Sequence, residues 1–563
     1  MLSRVATKYW RGRVSVSTKR HASSVPSERD VVIVGGGPAG LALASSLASS
    51  KLVRESLKVT LVEAGDLSKV REWDPPRGTY SNRVSSITNS SHEFLQGTGA
   101  WDHVEQGRTQ PIEEMEVWDG ISDARIHFSA GDAAVEPASQ IARLTENLNL
   151  QRGLLRHLSQ FSEIELADKV KVDSIVQDEQ EGGGWPLVHL SDGRVLRTRL
   201  LVGADGFNSP VRSFAGIQSY GWAYDTHGVV ATLFHAPRNS LQSPNTVAYQ
   251  RFLPTGPIAF LPLSETASSL VWSTRPPLAA ALKALDPAVF AGMVNAAFRL
   301  PETSVRYLNN EMLQAHLAGT PLSLAQFHEE LEFREKSHMI DSRSALSSVR
   351  RPADSGMPPD GAEDYPPLVT SVQPGTVASF PLKFSHADSY IGEGRGARTV
   401  LVGDAAHTIH PLAGQGLNLG LADVEALSEC IVDALSLGGD IGSYTALTPY
   451  ARTRYFENHK MLSACDKLHK LYASTAEPVV WARSVGVEVL NELDALKGAL
   501  MMSAGTTKTR GPPGQVGWEL AARGVEGFAK NVDNVRVLGS SIAGVVGAGL
   551  RQLWQQNSQG RRL

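Results

Sequence analysis

The residues whose types and spacing most clearly indicate a binding site form the run Asp30-Val31-Val32-Ile33-Val34-Gly35-Gly36-Gly37-Pro38-Ala39-Gly40. An Ala-, Leu- and Ser-rich stretch follows this run. β-branched residues, glycines and a helical pattern follow one another as strand, loop and helix, so backbone N–H groups at the helix start could bind phosphate. Gly35 permits a tight turn, Gly37 lets a pyrophosphate approach, and Gly40 lets the helix pack close to the strand. The run predicts a dinucleotide site.

An acidic residue stands where such a site needs one. The predicted strand 58–63 ends in Glu63, about twenty residues after the last glycine, the distance at which a carboxylate accepts hydrogen bonds from ribose hydroxyls. The glycine motif alone does not distinguish FAD from NAD, and an ordinary glycine turn is its structural alternative.

Two further strands run into glycines. The strand 199–202 precedes Gly203-Ala204-Asp205-Gly206, which in isolation is an ordinary Asp-Gly turn. The strand 399–402 precedes Gly403-Asp404, and the chain continues through Pro411 to Gly414-Gln415-Gly416-Leu417-Asn418 and a helix. Asp404 could accept hydrogen bonds from hydroxyls, and the helix start exposes N–H groups to an anion such as a reduced flavin ring.

Several other features carry less chemistry. Arg83 could reach a flavin or its phosphates, although a lone arginine is more often a surface residue. His407 and His410 lie near no cluster of carboxylates or cysteines, so we expect no metal site. The glycines at 392–396 precede a strand instead of following one, so we expect no second nucleotide module for NADPH.

Composition limits the class of protein. The chain has 563 residues, 42% hydrophobic and 20% charged, with two cysteines and a formal net charge of −4, which is ordinary for a soluble protein of several domains. Residues 1–27 contain six lysines and arginines and no acid before Glu28, which predicts a mitochondrial transit peptide; a disordered basic tail is the alternative. The acidic remainder argues against nucleic acid as a partner.

We call the three places where a strand runs into glycines the glycine junctions: Gly35 to Gly40, Gly203 to Gly206, and Gly403 to Asn418. Together these junctions resemble those of the class A flavoprotein monooxygenases related to para-hydroxybenzoate hydroxylase. Arg83-Val84-Ser85, the run 250–257 and the run 410–420 further resemble the UbiH-type ubiquinone-biosynthesis hydroxylases, specifically their mitochondrial branch. The resemblance implies FAD, with its pyrophosphate at Gly35, Gly37, Pro38, Ala39 and Gly40, its adenosine ribose on Glu63, and Arg83 near the flavin. It further implies FAD and nicotinamide contacts at Asp205-Gly206, the ribityl or pyrophosphate region on Asp404, and the isoalloxazine over residues 414–418, after Pro411.

The resemblance also implies an activity. Such enzymes hydroxylate C5 of a polyprenylated ring derived from 4-hydroxybenzoate through a flavin C4a-hydroperoxide, with O2 and with electrons from ferredoxin and its reductase. They work in a coenzyme Q biosynthetic complex, peripheral on the matrix side of the inner membrane. The cofactor carries the chemistry, so we expect no catalytic side chain; Arg251 and Phe252 are candidates for the wall of the substrate chamber. The alternatives are a flavin-bearing scaffold, a flavin epoxidase or dehydrogenase for another lipid, and an NAD-linked dehydrogenase.

We therefore expect an α/β fold in which a Rossmann-like FAD-binding domain is interleaved with a β-sheet substrate domain and followed by a helical C-terminal part. The expected boundaries are a transit peptide at 1–27, a discontinuous FAD-binding domain at 28–90, 195–225 and 385–440, an excursion of strands and a helix at 91–194, a substrate domain at 226–384 with an exposed insertion at 351–374, helices at 441–505 and a tail at 506–563. Within the tail, the uncharged stretch 537–550 is too short to cross about 30 Å of hydrocarbon, and is a core helix, a disordered segment or a membrane-surface segment.

Overall fold

The computed structural model describes residues 25–132, 139–178, 184–238, 242–320, 322–349 and 357–492. The strands are β1 (Ser27–Val34), β2 (Val59–Val62), β3 (Val84–Thr88), β4 (Thr109–Ile112), β5 (Glu114–Asp119), β6 (Arg125–Ser129), β7 (Ala142–Glu146), β8 (Ile164–Ala167), β9 (Val172–Gln177), β10 (Pro186–Leu190), β11 (Val195–Gly203), β12 (Ser219–His235), β13 (Val247–Leu253), β14 (Gly256–Pro262), β15 (Ala267–Thr274), β16 (Val369–Val372), β17 (Ala378–Ala387), β18 (Thr399–Leu401) and β19 (His407–Thr408). The helices are α1 (Pro38–Ser49), α2 (Lys51–Ser56), α3 (Leu67–Arg71), α4 (Asn89–Gly97), α5 (Asn147–Leu158), α6 (Pro210–Phe214), α7 (Pro276–Ala284), α8 (Pro287–Arg299), α9 (Glu302–Ala318), α10 (Leu324–Ser337), α11 (Gly416–Ser436), α12 (Tyr444–Ala473) and α13 (Glu477–Asn491).

The first sheet has seven strands in the order β8-β2-β1-β11-β10-β9, with β18 also paired to β11. Strands β8, β2, β1, β11 and β18 run parallel, whereas β10 and β9 are antiparallel. Parallel strands are covered on both faces, so the second half of β1, residues 31–34, is an apolar run with buried side chains, and all four side chains of β2 are buried. Helix α1, which follows the predicted phosphate loop, packs against both α5 and α11.

The second sheet has nine strands in the order β19-β17-β12-β15-β14-β13-β5-β6, with β16 paired to β12. Most neighbours are antiparallel, as the alternating patterns and turns of residues 228–275 predict. One face packs under α7, α8 and α9 around large buried aromatic side chains, including Trp118, Trp272, Phe260 and Phe298. A separate sheet has three strands in the order β3-β7-β4. The α/β class, with sheets and a helical C-terminal part, is confirmed.

Two predicted boundaries are wrong. Within the predicted excursion at 91–194, β8, β9 and β10 join the first sheet, and β8 pairs in parallel with β2. Within the predicted exposed insertion at 351–374, Val369–Val372 forms β16, which pairs with β12 and buries both of its valines. The first error arises because local patterns predict strands but not the sheet that each strand joins. The second arises because β16 has only four residues and its neighbours along the chain are rich in Pro and Gly.

The C-terminal part of the described chain is helical. Helix α12 has thirty residues, and α13 follows it after a short turn. The predicted transit peptide lies outside the described residues except for its last three positions, as do 493–505 of the predicted helical region and the whole tail 506–563. Among the described residues, no helix combines the length and the apolar character that a bilayer span requires.

Candidate functional site

The three glycine junctions of the sequence meet at one edge of the first sheet. Because β1, β11 and β18 are parallel neighbours, their carboxyl ends all reach this edge. A Cβ added to Gly35 would lie 2.3 Å from the carbonyl oxygen of Ala204, and one added to Gly403 would lie 3.3 Å from the Cβ of Ala39. The carboxyl edge of a parallel sheet is where α/β folds bind nucleotides, so tertiary structure places the junctions where a shared ligand needs them.

The first junction has the geometry of a phosphate-binding loop. Gly35 has φ +109°, a conformation that favours glycine. A Cβ on Gly40 would lie 1.9 Å from the carbonyl oxygen of Gly35, so this position must be glycine for the helix to pack. Gly37 caps α1, Pro38 is the first helical residue, and a Cβ on Gly37 would meet nothing within 4 Å. The helix N-terminus therefore faces open space that can admit an anion.

Glu63 follows β2 beside this loop. Its carboxylate accepts a hydrogen bond from the backbone N–H of Gly36 and another, of 2.5 Å, from the N–H of Gly65. These bonds hold the half-buried side chain against the glycine turn, and a carboxylate can accept further hydrogen bonds through its remaining lone pairs. Glu63 therefore lies beside the phosphate-binding loop with acceptor capacity left over.

The second junction leaves polar capacity unused. Asp205 Oδ2 accepts from the N–H of Val211 at 3.1 Å, whereas Oδ1 is buried and has no hydrogen-bond partner in the described part of the chain. Burial raises the pKa of this carboxyl, although the Ser209 hydroxyl partly opposes the shift. Gly206 has φ +80° and faces open space. An unbonded buried carboxylate oxygen at this edge fits a ligand that donates a hydrogen bond.

The third junction begins the loop 403–418. Gly403 has φ +58°, and the next residue, Asp404, keeps its side chain accessible to solvent. Surrounding protein atoms nevertheless desolvate this carboxyl enough to raise its pKa, against a smaller opposing effect of His407. After a short turn at Pro411–Ala413, Gly414 has φ +61°, and a Cβ there would lie 2.7 Å from the Ser86 hydroxyl oxygen. The loop therefore passes close to β3.

Hydrogen bonds of the Asn418 side-chain amide hold the end of this loop in place. Asn418 donates to the carbonyl oxygens of Ser86 (2.8 Å) and Gly414 (3.2 Å) and accepts from the N–H of Thr88 (3.0 Å). Its amide is thus occupied within the protein, and it holds the start of α11 to β3. Gln415 is the buried N-cap of α11, and Gly416 and Leu417, both half-buried, open the helix. Arg83 is exposed directly before β3.

Arg251 and Phe252, the two residues predicted for the wall of the substrate chamber, have different surroundings. Arg251 is 3% exposed, and it donates to the carbonyl oxygens of Ala297 (3.0 Å), Leu300 (2.8 Å) and Gly120 (3.3 Å). Burial lowers the pKa of its guanidinium to about 10. The prediction for Arg251 is corrected: its side chain joins β13 to the end of α8 and lines no open chamber. Adjacent residues of a strand face opposite sides, which explains the contrast with Phe252.

Phe252 lies where the second sheet meets the loop 403–418. Its ring stacks on Tyr472 with 3.9 Å between centroids, and both rings belong to a buried cluster with Leu412. Leu412 is part of the turn at Pro411–Ala413. Phe252 therefore contacts the part of the loop that the resemblance places near the flavin, and it stays a candidate for the chamber wall.

Sequence reasoning missed the contribution of α12. This helix follows the loop 403–418 along its length: Leu462 and Cys465 pack with Ile409 and Leu419, and the ring centroids of His469 and His410 are 4.8 Å apart. Tyr472 then reaches Leu412. His407 and His410 have separate partners, since His407 Nε2 bonds to Asp423 and His410 Nδ1 accepts from the N–H of Leu412. Apolar periodicity predicts the helix but not the surface that it covers.

This set of groups fits FAD. A helix N-terminus with an open approach suits the pyrophosphate, Glu63 and Asp404 can accept from hydroxyls, and Asp205 has an unused acceptor. A sequence family described as "FAD binding domain" matches residues 28–308 and 370–448, which include all three junctions. FAD is accordingly the cofactor of this protein.

Solved structures share the fold. The PqsL protein of Pseudomonas aeruginosa superposes with a TM-score of 0.55 at 21% identity, covering 82% of this chain and 99% of that one. The p-nitrophenol 4-monooxygenase PnpA of Pseudomonas putida gives 0.56 at 17% identity, covering 86% and 100%. The Diels-Alderase PyrE3 gives 0.54 at 18%, so the fold alone does not define the reaction. The fold, the site and the family match together define a flavoprotein with an FAD-binding domain.

Curated relatives narrow this class. The mitochondrial ubiquinone biosynthesis monooxygenase COQ6 of Schizosaccharomyces pombe is 38% identical over 87% of this chain and 94% of its own length. The COQ6 of Saccharomyces cerevisiae is 38% identical over 86% and 95%, and that of Homo sapiens 35% over 86% and 93%. The chain belongs to the family of mitochondrial COQ6 ubiquinone biosynthesis monooxygenases. It is an FAD-dependent monooxygenase, as the motifs predict.

Proposed function

We propose that this monooxygenase hydroxylates C5 of a polyprenylated ring derived from 4-hydroxybenzoate, a step of ubiquinone biosynthesis. The observation that carries the proposal is the meeting of three glycine junctions, at Gly35, Asp205 and Gly403, on one sheet edge. The names of the relatives, which are ubiquinone biosynthesis monooxygenases, support the substrate class.

Each junction would hold one part of the cofactor. The pyrophosphate would bind at Gly35, Gly37, Pro38, Ala39 and Gly40, the adenosine ribose at Glu63, and the ribityl or pyrophosphate region at Asp404. Asp205 and Gly206 would contact FAD, and Arg83 would lie near the flavin. The flavin ring would rest over Pro411, Gly414, Gln415, Gly416, Leu417 and Asn418, with Asn418 acting through the hydrogen bonds by which it shapes the loop.

The protein's own tasks are orientation and the exclusion of water. Bound FAD supplies electron transfer and the activation of O2. The first turn of α11, at the end of the loop 403–418, has backbone N–H groups without partners inside the helix, which suits a ring that gains negative charge. Phe252, Leu412 and Tyr472 give an apolar, aromatic border between this loop and the second sheet, which suits a phenolic ring. No side chain needs to act as a general base.

The partners and the precise location also belong to this proposal. Electrons would come from ferredoxin and its reductase, as the resemblance to the mitochondrial ubiquinone-biosynthesis hydroxylases implies. The protein would work peripherally on the matrix side of the inner membrane, within a coenzyme Q biosynthetic complex. The basic, acid-free N-terminal segment and the mitochondrial relatives support import into this organelle.

Lipid mass spectrometry on cells that lack this chain tests the substrate. We expect them to accumulate a prenylated phenol without the C5 hydroxyl and to recover quinone when the intact chain is restored. Glu63→Ala and Gly416→Trp should fail to restore it, because one removes the ribose acceptor and the other fills the start of α11. Glu311→Ala, an exposed change on α9, is the matched control and should restore quinone fully. Normal quinone levels without the chain would refute the substrate assignment.

Labelled oxygen separates the chemical alternatives. A monooxygenase incorporates one atom of ¹⁸O from ¹⁸O2 into the product ring, whereas a flavin dehydrogenase incorporates none. A scaffold would support quinone synthesis even in Gly416→Trp, provided that the complex assembles. Full rescue by that variant would therefore favour a structural role.

A further inference from the structure

Asp423 is a buried carboxylate behind the cofactor edge. Its side chain, in the second turn of α11, is 0% exposed and accepts from four donors. Oδ2 bonds to the backbone N–H of Gly403 at 3.1 Å and to His407 Nε2 at 2.6 Å. Oδ1 accepts from Arg454 Nε and Asn458 Nδ2, both at 2.9 Å. Both oxygens are therefore fully used inside the protein.

The charge of this carboxylate is strongly stabilised. Burial alone would raise the pKa of Asp423, but His407, Arg454 and Asn458 outweigh it and lower the pKa to about 2. Arg454 is held in turn by Asn458, whose side-chain oxygen accepts from Nη2 at 2.6 Å. A buried ion pair seldom adds much stability over apolar packing, so a role in fixing one conformation is the better reason for it.

The conformation that it fixes is that of the cofactor edge. Gly403 has φ +58°, packs against Ala39 of the phosphate-loop helix, and immediately precedes Asp404. The hydrogen bond from the Gly403 N–H sets the direction in which the chain leaves β18 and thus the position of the Asp404 carboxylate. Arg454 and Asn458 lie on α12, beyond residue 448, where the match to the FAD-binding family ends.

We propose that Asp423 and Arg454 are positioning residues for FAD, and that α12 is thereby part of the cofactor site. The inference rests on the proposed flavin site at Gly403 and Asp404. The ion pair holds the loop 403–418 in its binding conformation before the cofactor arrives, so that FAD need not order it. Loss of the pair should weaken FAD binding more than it weakens the fold.

FAD titration of the purified full-length chain, stripped of flavin, tests this directly. Asp423→Asn keeps the shape but sets an amide NH2 against two of the four donors, and we expect the Kd for FAD to rise at least tenfold. Arg454→Met should act similarly, while Arg454→Lys, which keeps the charge, should lose less. The Tm of each flavin-free variant is measured in parallel to separate binding from stability.

Another buried ion pair, Asp119 with Arg483, provides a matched control. Asp119 is 1% exposed and also accepts from four donors, two on Arg483 at 2.8 and 2.9 Å, the N–H of Ile121 and the Ser122 hydroxyl. It joins β5 to α13 instead of reaching the loop 403–418. Asp119→Asn should lower the Tm as much as Asp423→Asn does and change the Kd for FAD less than twofold.

The inference is overturned by an unchanged Kd in Asp423→Asn or by an equal rise of the Kd in Asp119→Asn. If Asp423→Asn does not fold, Asn458→Ala removes one of the four donors to Asp423 together with the acceptor that holds Arg454, and it should still raise the Kd at least threefold. An unchanged Kd in this variant is equally decisive. A wild-type chain that binds FAD but forms no hydroxylated product refutes the proposed substrate and leaves this comparison intact. A wild-type chain that takes up no FAD overturns both.

Discussion

The polar side chains at the carboxyl edge of the first sheet and on strand β13 of the second sheet differ in how they are hydrogen-bonded and exposed. At the first edge, Asp205 Oδ1 is buried without a partner in the described chain, Asp404 is accessible, and Gly37 faces open space. On β13, Arg251 is buried, and its two Nη atoms donate to three carbonyl oxygens, although its Nε has no partner among the described residues. Open space and unused acceptors at the first edge suit a bound ligand, whereas backbone carbonyls hold the Arg251 side chain within the fold.

The glycines of the phosphate loop test the first half of this comparison, with the largest expected effect. Gly40→Val would drive its Cβ against the Gly35 carbonyl, so both folding and FAD binding should be lost. Gly37→Val should leave the flavin-free Tm within about 2 °C, because φ is −71° and the space is open, yet weaken FAD binding roughly a hundredfold. FAD titration and thermal melts distinguish these outcomes. Unimpaired binding by Gly37→Val would place the pyrophosphate elsewhere.

Replacement of Arg251 tests the second half. Arg251→Met leaves three buried carbonyl oxygens without their donor, so the free energy of unfolding should fall by about 3 kcal/mol. The KM for the prenylated phenol, measured on the folded fraction, should stay within about twofold of wild type. Denaturant unfolding and steady-state kinetics measure the two quantities. A large rise in KM without loss of stability would restore Arg251 to the chamber wall.

A buried histidine within the loop 403–418 predicts a pH dependence. Burial, with a smaller effect of His469, lowers the pKa of His410 to about 3, and Asp466 opposes the shift. Below about pH 6.5 the unfolded chain binds a proton here that the folded chain does not, so this residue costs about 1.4 kcal/mol of stability per pH unit.

His410→Asn isolates this contribution, since its side-chain oxygen can still accept from the Leu412 N–H. Urea unfolding at pH 7, 6 and 5 should show that the free energy of unfolding falls less steeply with decreasing pH in the variant. The difference in slope should correspond to about one proton bound on unfolding. Parallel pH profiles for the two proteins would contradict a neutral buried His410.

The stacked rings at the border between the regions give the smallest effect. Phe252→Leu removes the stack on Tyr472, worth about 1 kcal/mol, and should lower product formation while the Kd for FAD changes less than twofold. Tyr472→Phe keeps the ring and serves as the control. Hydroxylated product per FAD reduced is the measurement, and unchanged coupling in Phe252→Leu would remove Phe252 from the chamber wall.

Local pattern predicted much of this molecule. A β-branched run, a glycine turn and a helical period are adjacent in the chain, so β1, Gly35 and α1 could be predicted from the residues. The resemblance to flavin monooxygenases extended this to FAD, which the family match confirms. The residue roles at the cofactor edge stay predictions.

Other parts depended on contacts between distant residues. The prediction for Arg251 failed because its burial comes from α8, forty-six residues further along the chain at Ala297. The excursion at 91–194 was misassigned because parallel pairing of β8 with β2 has no local signature. Nothing in the sequence near Asp423 indicates Arg454, since the pair forms only when α11 and α12 pack.

The sequence by itself determined which segments are strand, loop and helix at the three junctions, because backbone conformation there follows from glycines and hydrophobic period over a few residues. Only the tertiary structure decided that the junctions share one edge, that Asp205 keeps an unbonded oxygen, and that α12 supports the loop 403–418. Burial and hydrogen-bond partnership are properties of chain segments that meet in space, and a linear pattern does not record which segments meet.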